Sequence, residues 1–525
     1  MVAKLSTTSK IVLLSGSLLF PALHLCSQET EAIVIRDVRH GVSAPLRSIK
    51  DTPTVVELEM DRGEAEEKVS KNEAQASHIP SYDPALQTGI LASRLTQIRR
   101  IQGLGSSGRL VPDTNGAAGA TQYMQWVNSE FAVYLKATGK LVLTGKGNKF
   151  WSGLTGPCEN TTPNDGVILY DKLASRWVVS HYAGFGPYVQ CVAVSTTTDA
   201  TGSYNQYAFT LPTSYFTDYG KIGSWPDAYY LSINLLNQND NFDSEGGLVC
   251  ALNRANMLAG KSATAQCFTT TVQHMSLLPA DLDGTTAPPA GSPNYLLDLG
   301  ANALELWKFH VDWVTPSNSK LTGPTTIAVA KYSEACGGGV CIPQPPPGTL
   351  LDSLGDRLMH RLVYRNFGTH ESIVATHSVN PPTNSSSAIR WYEIRSPGGT
   401  PTVYQQGTFS PDQQSRWMPS IAMDKNNDIA VGYSVSSNVS SNPVNPSIRY
   451  AGRLSTDALG TLETETNVVI GDGVQTVTDR WGDYSGMSVD PTDDCTFWYT
   501  NQYLPATGNS NWSTFIVSFK FPSCP

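Results

Sequence analysis

The sequence predicts an all-β protein built as a ring of repeated antiparallel sheets, and three observations carry that reading. The first is a recurring turn-and-strand pattern. Arg416-Trp417-Met418-Pro419-Ser420-Ile421-Ala422-Met423-Asp424 has a later counterpart in Arg480-Trp481-Gly482-Asp483-Tyr484-Ser485-Gly486-Met487-Ser488-Val489-Asp490. From the closing aspartate onward the copies align without a gap, Asp424 with Asp490, Asp428 with Asp494, and Tyr433 with Tyr499. An earlier copy, Trp225 through Asn234, aligns with Trp481 through Asp490. The second observation is spacing. Anchor turns fall near Asn115, Asp165, Trp225, Asp283, Arg357, Arg416 and Arg480, at intervals of 50 to 74 residues. Each interval holds one four-stranded sheet, and repeats of this period are the mark of stacked or radial architectures. The third is composition. Charged residues make up only 15%, with Gly 44 and Pro 33, which favours short strands and many turns over long helices. Seven anchors predict a seven-bladed β-propeller, with six blades as the alternative. A pair of β-sandwiches would explain the strands but not the repeated turn.

The elements follow in chain order. Residues 1–26 read as a secretory signal peptide, with Lys4 and Lys10 ahead of a short apolar stretch from Ile11 to Leu25. Cys26 raises a lipid-anchor reading, which Leu25 disfavours because a small residue is expected there. Residues 27–100 form a charged, partly ordered leader with an acidic run at Glu64-Ala65-Glu66-Glu67, able to donate a strand. The propeller is expected over 101–525. It opens with the turn-rich Pro112-Asp113-Thr114-Asn115-Gly116. Paired strands follow, among them Val167–Asp171 with Trp177–Ser180, Tyr229–Leu235 with Gly247–Leu252, and Met487–Tyr499 with Ser513–Phe521. The proline-rich Ile342–Pro347 reads as a connection between blades.

Eight cysteines follow the signal: Cys158, Cys191, Cys250, Cys267, Cys336, Cys341, Cys495 and Cys524. An even count behind a signal peptide implies disulfides in an oxidising compartment. Connectivity is not fixed by sequence, and neighbour-to-neighbour pairing is the expectation. The protein is therefore expected to be secreted, periplasmic or on the cell surface, and monomeric. A net charge of −9 argues against a nucleic-acid partner. After the signal, no apolar run reaches the ~18 residues of a membrane span.

Chemistry is sought in the anchor turns, which in a propeller face the central channel. Arg357, Arg416 and Arg480 would converge there, and a guanidinium fork suits carboxylate, sulfate or phosphate. Asp227 and Asp483, at aligned positions, are candidates for acid/base work, with Tyr484 and Glu371 beside them. Trp225, Trp417 and Trp481 could offer flat faces to a sugar, and His360 could line the funnel. The competing reading is structural, with each Trp locking blades together and each Arg tied to a neighbouring carboxylate. No cofactor is required. Ca²⁺ is the one ion considered, at Asp113, Asn115 and Asp283, though a tight hairpin is the better reading of those turns. No serine-hydrolase elbow, phosphate-binding loop or dinucleotide fingerprint occurs.

From about Asn115 onward, the chain resembles a group of secreted bacterial β-propeller proteins. The motifs that carry this are P-D-T-N-G (112–116), Y-D-K-L-A-S-R-W (170–177), W-P-D-A-Y-Y (225–230), R-W-Y-E-I-R (390–395), the two Arg-Trp turns, and C-T-F-W-Y-T (495–500). The resemblance implies the fold and no particular activity. A looser resemblance is to sialidases, propellers that use an arginine triad, an Asp, a Glu and a Tyr. Their early R-I-P motif is missing here and no intact S-x-D-x-G-x-x-W box occurs, so no catalytic residue is carried over. Two functions are expected on this basis: a module binding a glycan or an extracellular protein, or a carbohydrate-active hydrolase or lyase acting on an acidic sugar.

Overall fold

The computed structural model describes residues 31–50 and 82–524, except 107, 185, 241 and 384. The expected signal peptide, the Cys26 anchor and the acidic run at 64–67 lie outside the described residues. The chain divides into residues 1–30 and a unit spanning 31–525, and only the second is described.

Nine strands define the architecture. Two are N-terminal, β1 (Ile33–Val42) and β2 (Thr96–Gly105). Seven are innermost: β3 (Asn115–Ala118), β4 (Asn164–Asp171), β5 (Phe216–Ser224), β6 (Leu278–Asp283), β7 (Leu362–Asn366), β8 (Ser415–Met423) and β9 (Gly486–Val489). Each innermost strand opens an antiparallel meander of four strands, the first being β3 followed by Gln122–Val127, Glu130–Leu135 and Leu141–Lys146. Seven such four-stranded units occur among the described residues. The innermost strands touch in sequence, β3 to β4 and so on to β9, which returns against β3. That closed circuit is a β-propeller. Where these strands crowd the axis there is no room for side chains. A Cβ on Gly223 would sit 2.5 Å from the Ala280 carbonyl oxygen, so glycine is required there, and one on Gly486 would sit 3.0 Å from the Asn115 Cα, a tight approach that favours glycine.

The ring is closed by chain ends. β2 pairs antiparallel with Ser513–Lys520 and supplies the outermost strand of the last unit. Residue 101, where the propeller is expected to begin, lies within this strand. β1 lies within the segment read as a leader. Its first half pairs with Thr264–Thr269 and its second with Tyr204–Thr210, so it stitches together the outer edges of the second and third units. Unpaired edges invite association with other chains, and this strand covers two of them.

The disulfides join Cys158 to Cys191, Cys250 to Cys267, Cys336 to Cys341, and Cys495 to Cys524. Neighbour pairing works because each bond closes a local meander or loop; Cys250 and Cys267 face each other on adjacent strands. No helix among the described residues is long and apolar enough to cross a membrane.

Buried ion pairs hold individual units together. Arg416, with its side chain fully buried, donates to Glu465 through Nε at 2.9 Å and Nη2 at 2.7 Å, and to Asp412 at 2.9 Å. Burial alone would raise the Glu465 carboxyl, but Arg416 and then Arg449 outweigh it and hold the group at about 2. Removing one partner of such a pair leaves an uncompensated buried charge, at a cost of roughly 3–5 kcal/mol. Arg416→Leu, which leaves Arg449 and the Tyr433 hydroxyl on Glu465, is therefore expected to lower the unfolding free energy read from urea titration at neutral pH by up to about that amount. Glu465 has a depressed folded pKa, so its contribution is complete above the unfolded value near 4.3 and is lost as pH falls toward about 2. The penalty of the variant should shrink over that window; an equal penalty at pH 7 and pH 2.5 would contradict this account.

Candidate functional site

A recurring backbone kink shapes one face of the ring. Entering the innermost strands, Asp113, Asp165, Tyr219, Ser276 and Met418 all adopt left-handed φ, between 44° and 53°. In β4, β5 and β8 the kink is a bulge: pairing skips from Asn164 to Val167, from Asp218 to Lys221, and from Trp417 to Ser420. A non-glycine residue in this region costs of order 1–3 kcal/mol. Bulges re-aim side chains, and here they direct side chains of several units toward one mouth.

The mouth gathers groups from five parts of the ring. Asp113 precedes β3 and Asp165 lies in β4. Asp218, Tyr219 and Lys221 come from β5. Asp352, Asp356, Arg357 and His360 come from the segment before β7, and Arg480, Asp483 and Tyr484 from the loop before β9. The Asp483 backbone N–H donates to Asp113 Oδ1 at 2.9 Å, spanning the seam between the last and first units. The Tyr182 hydroxyl donates to Asp218 Oδ1 at 3.2 Å and Asp165 Oδ2 at 3.4 Å. Arg357 pairs with Asp356 at 2.9 Å and its guanidinium lies 4.9 Å from the Tyr219 ring centre. Arg480 pairs with Asp483 at 3.1 Å.

Lys221 sits at the centre of the floor, 1% exposed. Its Nζ lies 3.4 Å from the Tyr219 ring centre and 4.1 Å from that of Tyr484. Burial pulls the ammonium down to about 8, although Asp165, Asp483, Asp218 and Asp113 all favour the charged form. The Tyr484 ring lies 5.8 Å from His360. Its buried hydroxyl makes no hydrogen bond among the described residues, and burial with Asp165, Asp113 and Asp483 nearby raises it well above its usual range. Burial, then Lys221 and Arg361, keep His360 neutral. Asp352 is pushed up to about 6, by burial first; Asp483 and Asp356 add to this while the Leu354 N–H and Arg480 oppose it.

Beneath the mouth, a narrow cavity between the innermost strands is lined by Gly116, Ile168, Ile222, His360 and Arg361. Arg361 donates to Asp281 at 3.0 Å, to the Met487 carbonyl at 3.2 Å and to Asp283. Lys172 also pairs with Asp283. Burial would raise the Asp283 carboxyl, but Arg361, Lys172 and Arg365 hold it at about 2.

The residues expected from sequence divide into three groups. Arg357, Arg480, His360, Asp483 and Tyr484 meet at the mouth. Arg416, Trp417 and Trp481 do not reach it. Arg416 turns into its own sheet toward Glu465, and the two indoles are fully buried, 5.3 Å apart, in an apolar cluster. The three arginines therefore form no common anion site, since each one is paired with a carboxylate of its own. Trp225, Asp227 and Glu371 lie at the opposite face. Trp481 precedes its innermost strand, whereas Trp225 follows β5 and starts the turn into Tyr229–Asn237. The same Trp-x-Asp spacing thus serves two different turns. Trp225 packs edge-on against Tyr364 at 4.7 Å, Asp227 accepts from the Tyr230 hydroxyl at 3.2 Å, and Glu371 accepts from the Tyr364 hydroxyl at 2.5 Å.

The three oxygen donors considered for Ca²⁺ do not converge. Asn115 bridges β3 to β4 through the Gly166 carbonyl and the Ile168 N–H. Asp113 is at the mouth and Asp283 at the far end of β6. Asp424 lies beside Cys495 and Cys524, but the disulfide leaves no thiolate there. Lys221, Tyr219, Asp218 and Asp352 escaped the sequence reading, and Asp165 was marked there only as an anchor turn. The repeated position at the kink is occupied by Asp, Tyr, Ser or Met, so residue identity does not repeat where geometry does.

No family model and no curated protein matches the chain. Among solved structures it is similar to the phage phi92 endosialidase, at 9% identity over 81% of this chain and 69% of that chain, TM-score 0.34. It is similar to the NanB sialidase of Streptococcus pneumoniae at 9% identity over 81% and 70%, TM-score 0.35. It is similar to the α-L-arabinofuranosidase Arb93A of Fusarium graminearum at 10% identity over 82% and 99%, TM-score 0.37. Likeness at this level carries no argument about chemistry, which rests on the mouth itself.

Asp352 gives the mouth a pH signature. Its folded value near 6 lies above the unfolded ~3.9, so the folded state holds the proton more tightly and stability falls as pH rises through that interval. Asp352→Asn removes the titration while keeping an acceptor for the Leu354 N–H. The variant is expected to match wild type near pH 4 and to exceed it in urea midpoint at pH 8. A difference that is the same at both pH values would rule the assignment out.

Proposed function

We propose that this protein is an extracellular β-propeller that binds a neutral glycan at the mouth, through carboxylates supplied by different units. The supporting observation is the charge inventory. Asp113, Asp165, Asp218, Asp352, Asp356 and Asp483 stand against Lys221, Arg357 and Arg480, and both arginines already pair with aspartates of this set. A surplus of carboxylates accepts hydrogen bonds from sugar hydroxyls and repels an acidic sugar. The arginine-triad reading of the sequence pointed to an acidic ligand; the pairing of each arginine turns the preference the other way. The four disulfides support an oxidising, extracellular setting.

Asp218 and Asp483, both part-exposed, are the carboxylates best placed to meet a ligand. Hydrogen bonds to charged groups are each worth ~1.5–3 kcal/mol. Asp218→Asn and Asp483→Asn are thus each expected to weaken binding to neutral oligosaccharides on a glycan array about tenfold or more, and Arg416→Leu is expected to leave it unchanged. Binding confined to acidic glycans, or indifferent to both mouth variants, would refute the proposal.

A second reading, glycoside hydrolysis, is favoured by one observation: a carboxyl raised to about 6 beside other carboxylates is the kind of group that serves as general acid. Under that reading Asp352 donates the proton and Asp352→Asn abolishes release of reducing ends from any oligosaccharide the array identifies; turnover that survives the substitution would exclude Asp352 from the role.

A further inference from the structure

Lys221 differs from the paired lysines of the ring in how its charge is met. Among the described residues it makes no ion pair, and its one hydrogen bond goes to the carbonyl of Gly220, its own neighbour, at 3.3 Å. By contrast Lys136 pairs with Asp490 at 2.6 Å, and Lys172 pairs with Asp283. The Nζ of Lys221 lies instead against the faces of Tyr219 and Tyr484. Arg357 covers the same Tyr219 ring, placing a second cation nearby. The Tyr484 hydroxyl is buried without a hydrogen-bond partner. A desolvated lysine near another cation is the environment in which an amine becomes nucleophilic. The register of this strand shifts between Asp218 and Lys221, and a bulge of that kind re-aims the side chains beside it.

We propose that Lys221 is a carbonyl-capturing amine that forms an imine with a small hydroxyaldehyde or hydroxyketone entering the mouth, the open-chain end of a sugar being the class that fits. The Nζ lone pair attacks the carbonyl carbon, and the carbonyl oxygen becomes a hydroxyl. That oxygen then leaves as one water while the C=N bond forms, and no electron is gained or lost. The groups facing the amine are Asp113, Asp165, Asp218 and Asp483 among the acids, Arg357 and His360 among the bases, and the two tyrosines. The carboxylates favour the protonated imine once it has formed. Only the choice of a sugar carbonyl rests on the glycan reading; the reactivity of the amine does not.

The test treats the full chain near neutral pH with glycolaldehyde and cyanoborohydride, whose hydride fixes the imine as a secondary amine, and maps the adducts by peptide mass spectrometry. Lys221 is expected to react about tenfold faster than the solvent-exposed lysines, which are almost wholly protonated at that pH. Lys221→Arg keeps the charge but cannot form an imine, so in the folded variant, checked by its circular dichroism, the adduct at this position should vanish while surface labelling persists. Labelling of Lys221 only after unfolding, or at no more than the rate of surface lysines, would overturn the proposal. A reactive Lys221 in a protein that binds no neutral glycan would sink the glycan reading and leave this one standing.

Discussion

The whole site depends on the seam where the ring closes. Asp113 precedes the first innermost strand and Asp483 precedes the last, 370 residues apart in the chain, yet one backbone hydrogen bond joins them at the mouth. That approach is held from below. The Ala118 N–H donates to Ser488 Oγ at 3.2 Å, Gln125 donates to Thr500 at 2.7 Å, and Lys136 pairs with Asp490 at 2.6 Å. The outer edge is held by β2 against Ser513–Lys520. Closing a loop of several hundred residues costs conformational entropy that grows slowly with length, and the paired strand with its seam contacts offsets it. If the seam opened, the carboxylates on either side would separate, and the mouth would cease to exist as one site.

Gathering carboxylates creates a second constraint. Like charges in a partly desolvated space repel, and each must be countered or protonated. The protein uses several means at once. Arg357 and Arg480 each take one aspartate, the Tyr182 hydroxyl serves two more, and Asp352 is pushed toward its neutral form. Lys221 contributes long-range attraction to four aspartates without a direct bond to any. The recurrent left-handed kink makes this arrangement achievable, because it turns the side chain at the start of several innermost strands the same way.

How much of this could be read from the sequence follows from what repeats. The long period, the local cysteine pairs and the hairpins Val167–Asp171 and Tyr229–Leu235 were legible because alternation and turn residues specify them locally. The arginines were half legible. Arg416 and Arg480 occupy equivalent positions in the pattern, but Arg416 lies within β8 whereas Arg480 lies in a loop several residues ahead of β9, so one side chain is captured by its own sheet. Trp225 misled for a related reason: a Trp-x-Asp turn looks alike at either end of an innermost strand, and sequence spacing does not say which end. Lys221 was invisible because its distinction is a charge set against two tyrosine faces instead of a carboxylate, which only the packing reveals.

The choice of the mouth over the opposite face follows from comparing how charges are satisfied. At the far ends of the innermost strands the ions are saturated by one another. Arg365 holds Asp494 through two bonds of 2.7 Å, Arg254 and the Tyr229 hydroxyl hold Asp171, and Arg361 with Lys172 holds Asp283. Buried pairs of that kind lock neighbouring elements together, and breaking one is costly. A ligand arriving there would have to displace an existing ion pair before gaining a contact. At the mouth, a ligand would meet part-exposed Asp218 and Asp483 beside a buried cation and a tyrosine hydroxyl that, among the described residues, have no ion pair and no hydrogen bond respectively. Polar groups left in that condition gain free energy when a partner arrives, because the desolvation cost is already borne by the folded protein. The asymmetry between the two faces is thus the ground for proposing that the mouth, and not the opposite end of the ring, binds the ligand.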